Sequence, residues 1–316
     1  KRPKRLTELS LKFRKHPNIC GIDNRSLSDN TMEKLLDNLE REMTAPASQF
    51  VDTCGYRTHY IESGSGRPLI LVHGGGAGAD ARGNWERFSM PLFSASFRTI
   101  AYDMVGFGYT DAPSPDDFVY NPESRVAQLI AFIEALGVGP VDIVGNSMGG
   151  RTSLAVAIER PDLIGNLVLM GSAGLDRSMG GVLRALTEYD FTFEGMQRIV
   201  EALTNDGFPL DKDLINYRLE LSKQPAQRAA FGATMGILKA RGGLHIEDDL
   251  IAQVKHRTLV VQGKDDKVIP VTMAYRYLEL LENSTGVILP HCGHWAMIEH
   301  PAKFASVVTE FLRGNL

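Results

Sequence analysis

Short, almost unbroken apolar runs alternate with stretches of helical spacing along much of the chain. Residues 67–73, 97–103, 141–144, 167–170, 258–261 and 286–289 each read as a buried strand. Apolar Val126, Leu129, Ile130, Ile133 and Leu136 recur at helical spacing, with Gly137 placed to close that helix. Helices are also expected over 152–157, 273–281 and 301–312. Strands this apolar are covered on both faces. The alternation therefore predicts an α/β fold: a mostly parallel central sheet flanked by helices.

The alternation begins near Thr58 and stops after Gly174. Helical pieces over 182–189, 195–203, 212–222 and 225–238 follow, with Phe191, Phe193, Met196, Phe208, Phe231 and Met235 scattered among them. The expected organisation is a helical cap, 175–249, inserted between two strands of a core made of 49–174 and 250–316. Residues 1–48 are expected to form a partly helical N-terminal extension. Within it, Asn30 and Glu33 fit a capping box ahead of Met32, Leu35, Leu36, Leu39 and Met43, an amphipathic pattern suited to lying on the core or on a partner subunit.

With 316 residues, 43% of them hydrophobic and 23% charged, the chain can bury one large core plus an insertion. A net charge of −4 argues against a nucleic-acid partner, and the basic run Lys1-Arg2-Pro3-Lys4-Arg5 reads as a solvated end. Cys20, Cys54 and Cys292 are too few and too scattered for a disulfide framework or a metal site, which suits a reducing compartment. No apolar stretch approaches membrane-spanning length and no signal-peptide core is evident at the start, so neither a membrane nor a metal is expected and the expected location is the cytoplasm.

Gly145-Asn146-Ser147-Met148-Gly149-Gly150 stands between a predicted strand and a predicted helix. A serine between two glycines at such a turn is the nucleophile elbow of an α/β-hydrolase. A serine hydroxyl needs a base, and the base needs an orienting acid, in the chain order Ser, acid, His. The loop after 259–262 reads Gly263-Lys264-Asp265-Asp266-Lys267-Val268-Ile269-Pro270, where Asp266 is preferred over Asp265 because the family spacing is Gly-x-x-Asp before Val-x-Pro. His294, in Pro290-His291-Cys292-Gly293-His294-Trp295, follows the last strand, where the base belongs, whereas His291 and His300 are poorer placed. His73-Gly74-Gly75-Gly76 matches an oxyanion loop, with the N–H groups of Gly75 and Met148 as donors.

Three segments go further: the elbow, Asp103-Met104-Val105-Gly106-Phe107-Gly108-Tyr109, and Cys292-Gly293-His294-Trp295-Ala296-Met297-Ile298-Glu299-His300. From about Thr58 onward the chain resembles the meta-cleavage-product hydrolases, which split a carbon–carbon bond in ring-opened catechol products. The resemblance implies substrate-binding roles for Gly74, Asn84, Asn146 and Trp295, and for Arg218 as the cap arginine that grips the dienoate carboxylate. Without it, Arg218 reads as an exposed helical arginine paired with Glu220 or Asp213. The chain departs from the family in its long extension and in Ala77, where a proline is often found.

The implied substrate is a 2-hydroxy-6-oxohexa-2,4-dienoate, cleaved to 2-hydroxypenta-2,4-dienoate and a carboxylic acid without any cofactor. The resemblance also implies a homo-oligomer. Which acyl group fits is not read from the sequence, because it is expected to depend on how Phe191, Met196, Phe231 and similar cap residues pack. An esterase or lactonase using the same triad, and a hydrolase-fold ligand receptor with little turnover, are the competing readings.

Overall fold

The structure, a computed structural model, describes residues 45–175, 186 and 188–316. Ser48–Leu316 forms one compact unit, distinct from 1–47. The amphipathic pattern expected over 32–43, and most of the helix expected over 182–189, lie outside the described residues.

Eight strands make one sheet: β1 (Gln49–Thr53), β2 (Tyr56–Ser63), β3 (Pro68–Val72), β4 (Arg98–Tyr102), β5 (Val141–Asn146), β6 (Ile164–Met170), β7 (Thr258–Gly263) and β8 (Ser284–Leu289). Their spatial order is β1-β2-β4-β3-β5-β6-β7-β8. The first two pairings are antiparallel and the rest parallel, so the sheet is mostly parallel as expected. The central strands are apolar and solvent-free because helices cover both faces: Leu69 to Val72, Ile143, Val144, Leu167 to Leu169 and Leu259 to Val261 are all buried.

The flanking helices follow their sequence signals. Helix α1 (Met90–Ser94) precedes β4. Helix α2 (Pro122–Leu136) starts where Asn121 Oδ1 accepts the Ser124 N–H and ends at left-handed Gly137. Helix α3 (Met148–Glu159) springs directly from the elbow. Between β6 and β7 come α4 (Phe193–Leu203), α5 (Lys212–Lys223), α6 (Pro225–Arg241) and the short α7 (Asp248–Ile251). After β7 come α8 (Val271–Leu280), α9 (Ala296–Glu299) and α10 (Pro301–Arg313).

Polar ties fix the inserted helices against the core. Buried Arg125 Nη2 donates to Thr234 Oγ1 at 2.7 Å, Gln227 Nε2 to the Gly108 carbonyl at 3.1 Å, and Arg241 pairs with Glu123 at 2.6 Å.

Register is what assembles the site. Val72 lies opposite Tyr102 and Gly145, Asn146 opposite Met170, Met170 opposite Val261, and Gly263 opposite Leu289. The C-terminal ends of these strands are therefore flush, and the loops that begin at residues 73, 147, 171, 264 and 290 leave from one edge. Open α/β sheets bind their ligands at that edge. Among the described residues no helix is long and apolar enough to cross a membrane.

Candidate active site

Ser147 sits at φ 56°, ψ −120°, a conformation that a non-glycine residue adopts only under constraint. Three backbone bonds supply that constraint: Ser147 N–H to the Met170 carbonyl, and Ala173 and Arg151 N–H to the Ser147 carbonyl, each 3.1 Å. Glycine flanks it out of necessity. A Cβ on Gly149 would stand 2.4 Å from the His73 carbonyl oxygen, and one on Gly145 2.6 Å from that of Gly149. Neither contact can relax, because both are with backbone.

His294 Nδ1 donates to Asp266 Oδ2 at 2.8 Å, with both side chains buried. The remaining capacity of that carboxylate is used. Gln262 Nε2 donates to Oδ2 at 2.8 Å, and the Val268 and Ile269 N–H groups donate to Oδ1 at 2.8 and 2.9 Å. Asp265 is exposed. Glu299 pins the histidine loop by accepting the N–H groups of Gly293, Trp295 and Asn205. His300 Nε2 donates to the His291 carbonyl at 2.8 Å, and His291 is exposed in a turn.

One cavity of about 880 Å³, counting the open space at its mouth, takes in Ser147, His294, Gly74, Gly75, Met148, Asn84, Asn146, Arg218 and Trp295. Every sequence-predicted site residue other than the acid is thus on its wall, and the acid is behind His294. Ser147 and His294 share the wall without a hydrogen bond between them, a spacing that closes in many hydrolases only when substrate is bound. Met148 opens helix α3, so its N–H has no intrahelical acceptor and stays available to a ligand. The rest of the lining is largely aliphatic, including Leu203, Met235, Leu238, Leu244, Val268 and Ile269.

The glycine loop is held by a buried neutral imidazole. His73 Nδ1 donates to the Gly74 carbonyl at 2.7 Å while Nε2 accepts the Met104 N–H at 3.0 Å. Burial drives its pKa down to about 4, which keeps this tautomer in place.

Arg218 is completely buried, not exposed, and neither Glu220 nor Asp213 pairs with it; Glu220 pairs with Lys223. Its Nη1 donates to Asn84 Oδ1 at 3.2 Å and its Nη2 to the Ala77 carbonyl at 2.9 Å. Its Nε finds no protein acceptor. The guanidinium lies over the Trp295 ring, 4.9 Å from the centroid. Burial lowers its pKa to about 10, with Asp80 the chief opposing charge, so it remains a cation at neutral pH. A buried cation with donors to spare in a cavity is a site for an anion.

A family described as alpha/beta hydrolase fold matches residues 67–301. A 2-hydroxy-6-oxo-6-(2'-aminophenyl)hexa-2,4-dienoic acid hydrolase from Metapseudomonas resinovorans is 48% identical over 274 residues, 86% of this chain and 93% of that protein. The chain belongs to the meta-cleavage-product hydrolases. Among solved members, the serine hydrolase of carbazole degradation (CarC) superposes with a TM-score of 0.78 at 48% identity, covering 85% of this chain and 99% of its own. The meta-cleavage product hydrolase CumD from Pseudomonas fluorescens gives 0.80 at 32% identity, covering 85% and 98%.

Within this meta-cleavage-product hydrolase, the pocket wall corrects one expectation. Phe191, Met196 and Phe231 do not line the cavity. Met196 is sealed in the core, Phe191 stacks against Tyr189 and Arg228, and Phe231 packs behind the wall. Leu186, Leu238, Leu244, Val268 and Ile269 line it and carry no sequence signal that separates them from ordinary core. Gln262 and Glu299 likewise carry no distinguishing signal, although Glu299 stands in the segment that begins Cys-Gly-His-Trp.

Proposed function

We propose that this enzyme hydrolyses 2-hydroxy-6-oxohexa-2,4-dienoates whose distal ketone bears an apolar group, an aryl group foremost. The observation that carries the reading is the single cavity that joins the buried Arg218–Asn84 pair to Ser147 and His294, with aliphatic residues over the rest of its wall. Similarity at 48% identity to a hydrolase named for an aminophenyl dienoic acid supports the aryl preference. The helices between β6 and β7 act as the cap, 175–249, over a core of 49–174 and 250–316.

Arg218 and Asn84 hold the carboxylate end, with Trp295, Asn146 and Gly74 shaping the space around the dienol. A carbon leaving group is poor, so the dienol is first converted to its keto tautomer, with His294 carrying the proton. Ser147 Oγ, deprotonated by His294, then attacks the distal ketone while the N–H groups of Gly75 and Met148 bind the oxyanion. Collapse breaks the carbon–carbon bond, and the leaving fragment, taking a proton from His294, departs as 2-hydroxypenta-2,4-dienoate. Water, activated by His294, hydrolyses the acyl-enzyme to a carboxylic acid and restores Ser147. Asp266 holds His294 in the required tautomer and stabilises its cationic form. The same reading makes the enzyme a cytoplasmic homo-oligomer; light scattering on the full chain tests the assembly, and cell fractionation the location.

Turnover of ring-cleavage products that differ only in the distal substituent tests the substrate class. Phenyl and aminophenyl dienoates are expected to give the highest kcat/KM, followed by methyl. A distal carboxylate handled as well as phenyl would overturn the reading, as would equal loss of dienoate and simple aryl ester turnover in Arg218→Gln.

A further inference from the structure

Arg218 and Asn84 come from separate elements, α5 in the inserted helices and a π-helical turn, Arg82–Glu86, in the core. The 3.2 Å contact between them therefore depends on how those elements are held together. The residue next to Arg218 reaches across the same gap. Tyr217 Oη donates to Asp80 Oδ2 at 2.5 Å. Asp80 in turn organises the turn that carries Asn84: its Oδ1 accepts the Gly83 N–H at 2.7 Å and its carbonyl accepts the Asn84 N–H at 3.2 Å. The ring of Tyr217 packs on Gly83, so closely that a Cβ there would stand 3.1 Å from Cε1. On the other side, Asp103 Oδ1 accepts the Ala81 N–H at 2.6 Å, which fixes the same stretch to the core.

The site keeps this arrangement in an unfavourable place for a carboxyl. Asp80 is fully buried beside Asp103, and burial followed by that neighbour pushes its pKa up to about 7, against the opposing pull of Tyr217, the Gly83 N–H and Arg218. Among the described residues no acid lies within ion-pair distance of Arg218, so Asp80 balances its charge without occupying its donors.

We propose that Tyr217 and Asp80 are positioning residues whose hydrogen bond sets the spacing between Arg218 and Asn84, and with it the grip on the substrate carboxylate. This rests on the reading that Arg218 and Asn84 take that carboxylate. A bond that served stability alone would change melting without favouring one kinetic constant. A bond that sets the grip changes the affinity for the dienoate and leaves the bond-breaking steps, carried by Ser147 and His294, untouched.

The test is steady-state kinetics of the full chain on a phenyl-substituted dienoate. Tyr217→Phe keeps the ring on Gly83 and loses only the donor; it is expected to raise KM five- to tenfold with kcat within twofold. Asp80→Ala removes the other half of the bond and is expected to raise KM at least as much. The double variant adds little beyond Asp80→Ala, since both remove one interaction. An unchanged KM in Tyr217→Phe, a fall in kcat with KM unchanged, or effects that multiply in the double variant would each overturn the proposal. Arg218→Gln run alongside separates the two readings. If it leaves KM unaltered, the carboxylate reading itself fails; if it raises KM while Tyr217→Phe does not, only the positioning role fails.

Discussion

The guanidinium carbon of Arg218 lies 4.9 Å from the centre of the Trp295 ring, so the group proposed to take the substrate carboxylate lies over the residue next to His294, the proposed base. A planar fork suits that contact, because it can stack while its edge donates to two oxygens at once. Arg218→Lys keeps the charge and loses the fork and the stacking. It is expected to lower kcat/KM on a dienoate by at least tenfold, mainly through KM. Kinetics indistinguishable from the parent would refute a forked grip.

Asp266 accepts four hydrogen bonds, one of them from His294. Asp266→Asn replaces an acceptor-only group by one that must turn an N–H₂ toward existing donors, and it supports the wrong histidine tautomer. The expected loss in kcat is on the order of 10³–10⁴-fold. Asp265→Asn, at the exposed neighbouring position, is expected to stay within twofold. Comparable losses in the two variants would reassign the acid.

The strained backbone at Ser147 makes an unusual stability prediction. Ser147→Ala and Ser147→Gly both abolish turnover, but only glycine relieves φ 56°, ψ −120°. In ordinary structure alanine is the more stabilising of the two. Here the glycine variant is expected to be the more stable by about 1 kcal/mol, read from denaturant unfolding. The opposite order would show that the elbow stores no strain.

His73 predicts a pH dependence. Folding lowers its pKa from 6.5 to about 4, so between those values the unfolded chain binds a proton that the folded one refuses. The stability that His73 contributes is therefore full above about pH 6.5 and is lost as the pH falls toward 4, about 3 kcal/mol in all. Asp80 acts with the opposite sign, because its raised pKa removes stability as the pH climbs from 3.8 to about 7. The measurement is accordingly the stability difference between the parent and His73→Gln at pH 7, 5.5 and 4.5. A difference that does not shrink across that series would mean that the imidazole is not held neutral.

The parts of the site that were legible in the sequence are those written in a few adjacent residues. The elbow, the Gly-x-x-Asp loop and the Cys-Gly-His-Trp segment each combine a turn requirement with a functional group, so a short window states both. Strand β1 carries no such signal, because its exposed and half-buried positions lack the apolar run of the central strands. The π-helical turn that presents Asn84 has no periodic signal at five residues. The acyl wall is hidden in the sequence for a different reason. Large apolar residues mark a helix face without saying which neighbour it meets, and Met196 faces inward to the core while Leu238 and Leu244 meet the cavity. The environment of Arg218 was invisible for the same reason, since Asp80, Ala77 and Trp295 approach it from far along the chain.

Flush strand ends also bring together residues from distant parts of the chain. Ser147 and the glycine loop lie in the first half of the chain, whereas the proposed acid and base follow β7 and β8, after the entire inserted segment. In the proposed triad, therefore, the two ends of the fold meet at one sheet edge, and the hydroxyl depends on a strand pair, β7 with β8, formed by the last part of the chain.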